Sequence, residues 1–164
     1  MSSIHRTRIR FAPLLLVFAF SCAGGENVTP ASLKAAKDRW DKANLRDYEV
    51  EWTSSVPTHT RYVVTVRDGK VTSVEGIALD GRRYKAKPVD LSYYGVNGLF
   101  LIIADDLAQL DTNTPFGLPK GSRAVMKFTP DLEYGFPRRY RRDVVGAPVA
   151  LAIDVVRFEP VAAH

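Results

Sequence analysis

The chain has 164 residues, 46% of them hydrophobic and 25% charged, with 11 Gly, 10 Pro, a single Cys and a formal charge of +5. That composition supports one folded domain and excludes a disordered chain; a lone cysteine excludes an intramolecular disulfide framework. No apolar run reaches the roughly 20 residues of a transmembrane helix, which excludes a multi-span membrane protein.

Arg6, Arg8 and Arg10 precede an apolar run from Phe11 to Phe20, and Ser21, Cys22, Ala23, Gly24 and Gly25 follow. A basic segment, a short apolar run and small residues predict a secretory signal peptide over residues 1–21. Cys22 stands where bacterial lipoproteins carry the cysteine that becomes acylated. Ala19-Phe20-Ser21-Cys22 is a loose lipobox: Ser21 fits, Ala19 stands where Leu is usual, and Phe20 where a small residue is usual. Lipidation of Cys22 is the expectation, with ordinary cleavage after Ser21 or Ala23 as the alternative. Two or three acyl chains anchor stably, whereas one binds marginally. Residues 22–30 would then be the lipidated N-terminus and tether. Ala23 in place of a retaining aspartate favours the outer membrane of a two-membrane cell. Arg6, Arg8 and Arg10 leave with the leader, taking three of the 23 basic residues against 18 acidic ones, so the net charge falls to about +2. Export and near-neutral charge both argue against nucleic acid as a partner.

Thr29-Pro30 predicts a helix start, an N-cap followed by proline in the first turn, with the helix running to about Leu45. Leu33, Ala36, Trp40 and Ala43 form its apolar stripe, and Lys34/Asp38 and Lys37/Asp41 are opposite charges four apart. Tyr48, Val50 and Trp52 alternate with Glu49, Glu51 and Thr53, the pattern of a half-buried strand. After a loop from Ser54 to His59, Arg61–Arg67 and Val71–Val74 flank Asp68-Gly69, a strong hairpin signal. Leu79-Asp80-Gly81-Arg82 predicts another turn. Helical spacing is clearest at Leu99, Ile103, Leu107 and Leu110, with Asn97 as the expected N-cap and Gly95 and Gly98 loosening what precedes it. Thr112–Gly121 reads as a loop. Three further strands are expected at Ala124–Phe128, Phe136–Arg142 and Val149–Phe158. The fold class expected for residues 31–160 is α+β: an N-terminal helix and an antiparallel sheet of about six strands interrupted by one central helix, in the order helix-βββ-helix-βββ.

Several short segments, in this order and spacing, carry a resemblance. They are Trp40 with Tyr48, Val66-Arg67-Asp68-Gly69-Lys70-Val71, Gly98-Leu99-Phe100 with Ile103, Val125-Met126-Lys127-Phe128, and Tyr134-Gly135-Phe136-Pro137 with Asp143. Together they span most of the region from Trp40 to Phe158. The chain resembles an uncharacterised family of secreted bacterial lipoproteins, a domain of unknown function. The resemblance implies a lipoprotein with a small α+β domain and implies no activity. Ser54-Ser55-Val56-Pro57 departs from the pattern, since relatives often carry a pair of cysteines there.

Chemistry is sparse. After the leader only His59 and His164 remain as histidines, and Ser54, Ser55 and Ser122 lack a nucleophile-elbow context. No His-x-x-x-His, Cys-x-x-Cys, acidic calcium loop or glycine-rich phosphate loop occurs, so no metal or cofactor is expected. Asp105-Asp106 reads as a solvated helix face, because adjacent helical residues diverge by about 100°. Two features stand out. Arg138-Arg139-Tyr140-Arg141-Arg142, with Gly81-Arg82-Arg83-Tyr84-Lys85-Ala86-Lys87 as a lesser companion, could recognise an anionic headgroup or acidic partner, or could solubilise an exposed strand. On a strand, Arg138, Tyr140 and Arg142 are expected on one face, and Arg139 and Arg141 on the other. Tyr134-Gly135-Phe136-Pro137 could present aromatics at a turn or fold them into the core. The expected function is a lipid-anchored, non-enzymatic envelope domain that binds a protein or an anionic surface. The alternatives are an exported carrier of an apolar ligand and, more remotely, a hydrolase.

Overall fold

The computed structural model describes residues 25–85, 90–120, 122–146 and 150–161. The leader, Cys22, Ala86-Lys87 of the lesser basic segment and His164 lie outside the described residues. Strands β1 (Glu26–Asn27), β2 (Tyr48–Ser54), β3 (Thr60–Arg67), β4 (Lys70–Ala78), β5 (Arg83–Lys85), β6 (Ala124–Pro130), β7 (Pro137–Val144) and β8 (Leu151–Pro160) form one sheet. Every pairing is antiparallel, in the order β1-β6-β7-β8-β2-β3-β4-β5. Helices α1 (Pro30–Ala43) and α2 (Val96–Gln109) complete the α+β domain.

The expected helix-βββ-helix-βββ arrangement of about six strands is thereby corrected. Eight strands are present among the described residues. The two unexpected ones are short edge strands: β1 has two residues and β5 three, all of them exposed. Neither is long enough to alternate, and each exists only through its neighbour, β6 or β4. Hydrophobic periodicity has no purchase on such segments.

The longer elements form for local reasons. Thr29 caps α1 reciprocally: its hydroxyl accepts from the Ser32 amide at 3.0 Å, and the Ser32 hydroxyl accepts from the Thr29 amide at 3.0 Å. The β3–β4 hairpin turns on Asp68 and Gly69, with φ of 52° and 74°, the positive values a tight two-residue hairpin turn needs. The Asp47 carboxylate accepts from the Asp68 amide at 2.9 Å and fixes that turn.

One face of the sheet packs against both helices. Tyr48, Val50 and Trp52 of β2 point inward beside Val64 and Val66 of β3. Phe128, Tyr140 and Ile153 continue this layer through β6, β7 and β8. Ala36 and Trp40 of α1 and Val96, Leu99, Phe100 and Ile103 of α2 close it. Asn97 does not cap α2, because Gly95 holds that position. The Asn97 side chain instead accepts from the Trp40 indole N–H at 3.1 Å and ties the helices together. Phe136 also folds inward, its ring 4.6 Å from that of Phe158, and Tyr134 lies 5.7 Å from Phe158. Phe136 is core, and Tyr134 packs against it partly buried. Behind the sheet, the opposite face carries charge in pairs: Glu49 meets Arg67 and Arg157, and Glu51 meets Arg61 and Arg157.

Candidate functional site: the arginine strand and the hollow beside it

Strand β7 lies between β6 and β8, so its arginines do not guard a sheet edge. They divide between the two faces. On the inner face Tyr140 is fully buried, and its hydroxyl donates to Asp106 Oδ2 at 2.8 Å. Arg142 donates through Nη1 to Asp106 Oδ1, and its guanidinium lies 4.6 Å from the centre of the Phe116 ring. Asp106 is therefore not on a solvated face: it is 7% exposed. Burial pushes its carboxyl above the ordinary range, against the opposing pull of the Tyr140 hydroxyl and the Arg142 charge. Burial, followed by the charge of Asp106, likewise pushes the Tyr140 hydroxyl up. Arg142 Nε is buried without a hydrogen-bond partner among the described residues. This triad fastens α2 to β7 and leaves Tyr140 and Arg142 unavailable to a partner at the surface.

On the outer face Arg139 and Arg141 share one carboxylate, Asp154 of β8, at 3.1 and 2.6 Å. Arg141 also donates to the Ile153 carbonyl at 3.0 Å. Arg138 departs from the expected alternation: it lines the same outer hollow as Arg139 and Arg141. The cause is a register shift between Thr129 and Pro130, where β7 begins, which breaks the regular pleat. Arg138 has no ion-pair partner among the described residues, and it is exposed.

The hollow has a volume of about 1070 Å³. Three arginines and two carboxylates, Asp154 and Glu26, line it, leaving an excess of guanidinium. Its rim carries two exposed apolar side chains, Leu132 at 91% and Val156 at 56% exposure. Val156 is turned out where the β2–β8 register slips between Glu51 and Trp52. Gly25 also lines the hollow, held there because β1 pairs with β6. Such a surface can hold an oxyanion by charge-assisted hydrogen bonds, with Arg138 the guanidinium that no carboxylate among the described residues engages.

Sequence reasoning missed Asp106, although the signal was present. Leu99, Ile103 and Asp106 fall on one helical stripe, and a carboxylate at a core position needs a buried partner. Leu132 and Val156 carried no such signal, since their exposure depends on a turn and a bulge.

The remaining surfaces offer less. Exposed His59 lines a separate depression of about 460 Å³ with Thr60 and Leu79. A groove of about 710 Å³ runs between α1 and α2, lined by Leu33, Phe100, Leu101 and Leu107. Among the described residues no group of three His, Cys, Asp or Glu side chains could hold a metal ion. Among them, too, no helix is long and apolar enough to cross a membrane. Comparison with models of known families, with curated proteins and with solved structures returned no match.

Proposed function

We propose that the chain is an exported, lipid-anchored protein of the bacterial envelope, whose domain binds an anionic partner and does not catalyse a reaction. Its leader resembles that of a lipoprotein, with Cys22 as the acylated residue, and the outer membrane is its favoured address. The observation that carries the binding role is the outer hollow, where Arg138, Arg139 and Arg141 outnumber the lining carboxylates and Arg138 has no ion-pair partner among the described residues. The binding residues are narrower than the full arginine strand, because Tyr140 and Arg142 are committed to Asp106.

Expression of the full chain beside Cys22→Ser in a bacterial host, followed by separation of membrane and soluble fractions, tests the anchor. Wild type is expected in the membrane fraction and Cys22→Ser in the soluble one. The same distribution for both proteins would overturn the reading.

A second reading is an exported carrier of an apolar ligand, favoured by the groove between α1 and α2. It concerns that surface alone, since the space beneath α2 is filled by Leu99 and Ile103, both buried to within 1%. Lipid retained by Cys22→Ser in native mass spectrometry, and lost on Leu101→Ser, would favour the carrier.

A further inference from the structure

We infer that the hollow is the surface the domain turns to its own membrane, where Arg138 meets the phosphate of anionic phospholipid headgroups and Leu132 enters the interface. The inference rests on the lipid-anchor reading and names the partner of that same site.

Three observations converge on it. First, Gly25 lines the hollow and lies only three residues after Cys22, so the anchor is within about 10 Å of it even with the chain fully extended. The β1–β6 pairing then carries the chain away, from Glu26 opposite Phe128 to Val28 bonded to Met126, before α1 begins. A tether this short brings the face that bears Gly25 to the bilayer and carries the α1–α2 groove farther along the chain. Second, the charge is complementary: Arg139 and Arg141 divide one carboxylate between them while Arg138 has none among the described residues, and a phosphodiester supplies an anion for it. Third, Leu132 is 91% exposed on a turn braced from within, where the Asp131 carboxylate accepts from the Glu133 and Tyr134 amides at 3.0 and 2.8 Å. Leu132 stands between Asp131 and Glu133, and the arginines of the hollow it lines supply the positive charge that would bring it to a headgroup boundary.

Leu132→Trp in the full chain, reconstituted into vesicles with brominated acyl chains, provides the test. Trp40 and Trp52 are each only 4% exposed, so an added tryptophan dominates the quenching. In phosphatidylglycerol vesicles Leu132→Trp is expected to be quenched at least twofold more than wild type. Adding Arg138→Ser is expected to bring quenching down to the level seen in phosphatidylcholine. Quenching equal to wild type, or unchanged by Arg138→Ser, would overturn the orientation, as would stronger quenching of Leu101→Trp in the helix groove. A protein that leaves vesicles of both compositions would refute the anchor, and the orientation with it. One that stays without quenching would refute the orientation alone.

Discussion

At the scale of single residues, Asp106 decides more than any arginine. It is the one buried acidic side chain among the described residues, and it accepts from both the Tyr140 hydroxyl and the Arg142 guanidinium. Removing one partner of a buried pair leaves the other charge uncompensated, which is more costly than losing a neutral hydrogen bond. Asp106→Ala is therefore expected to lower stability by about 3 kcal/mol. Tyr140→Phe, which deletes only a donor, is expected to cost about 1 kcal/mol. Urea unfolding of both variants checks the order; equal losses would mean that the ion pair contributes little. Arg138 has the opposite character. Exposed and without an ion-pair partner among the described residues, it can be replaced with almost no change in stability, so it is the clean probe of binding.

At the scale of elements, the approach of α2 to the chain before it is set by a glycine. A Cβ on Gly98 would lie 2.2 Å from the backbone carbon of Tyr93, in the short turn of 3-10 helix over Leu91–Tyr94. Gly98 thus permits contact and does not loosen the helix start. Gly98→Ala is expected to force those two elements apart and cost about 2 kcal/mol, read from the unfolding midpoint. A neutral effect would show that the turn can yield. These cases show which parts of the fold were legible. The apolar stripe of α1, the alternation in β2 and the Asp68-Gly69 hairpin depend on neighbours in sequence, and each forms where its pattern predicts. The edge strands β1 and β5, the bulge at Val156 and the burial of Asp106 depend on residues distant in the chain. The candidate site was legible by composition, as a run of arginines. The division of that run between Asp106, Asp154 and the open hollow was not, because it follows from strand order and register.

At the scale of the molecule, the sheet separates two kinds of surface. One face is sealed by α1 and α2 over an aromatic and aliphatic core. The other carries paired charge, which adds little stability per exposed pair and keeps the face solvated. At one end of that face Arg138 has no ion-pair partner among the described residues, and Gly25 lines the same hollow. An exposed guanidinium and an exposed leucine on the surface that Gly25 lines, three residues after Cys22 in the sequence, support the proposal of an envelope protein that lies against its own membrane. The account depends first on Cys22. The intact mass of the mature protein, purified from bacterial membranes beside Cys22→Ser, tests it most directly. A wild-type chain that begins at Cys22 and carries the mass of its acyl chains, with none on Cys22→Ser, is the predicted result. A wild-type chain beginning at Gly24, or at an unmodified Cys22, would contradict it.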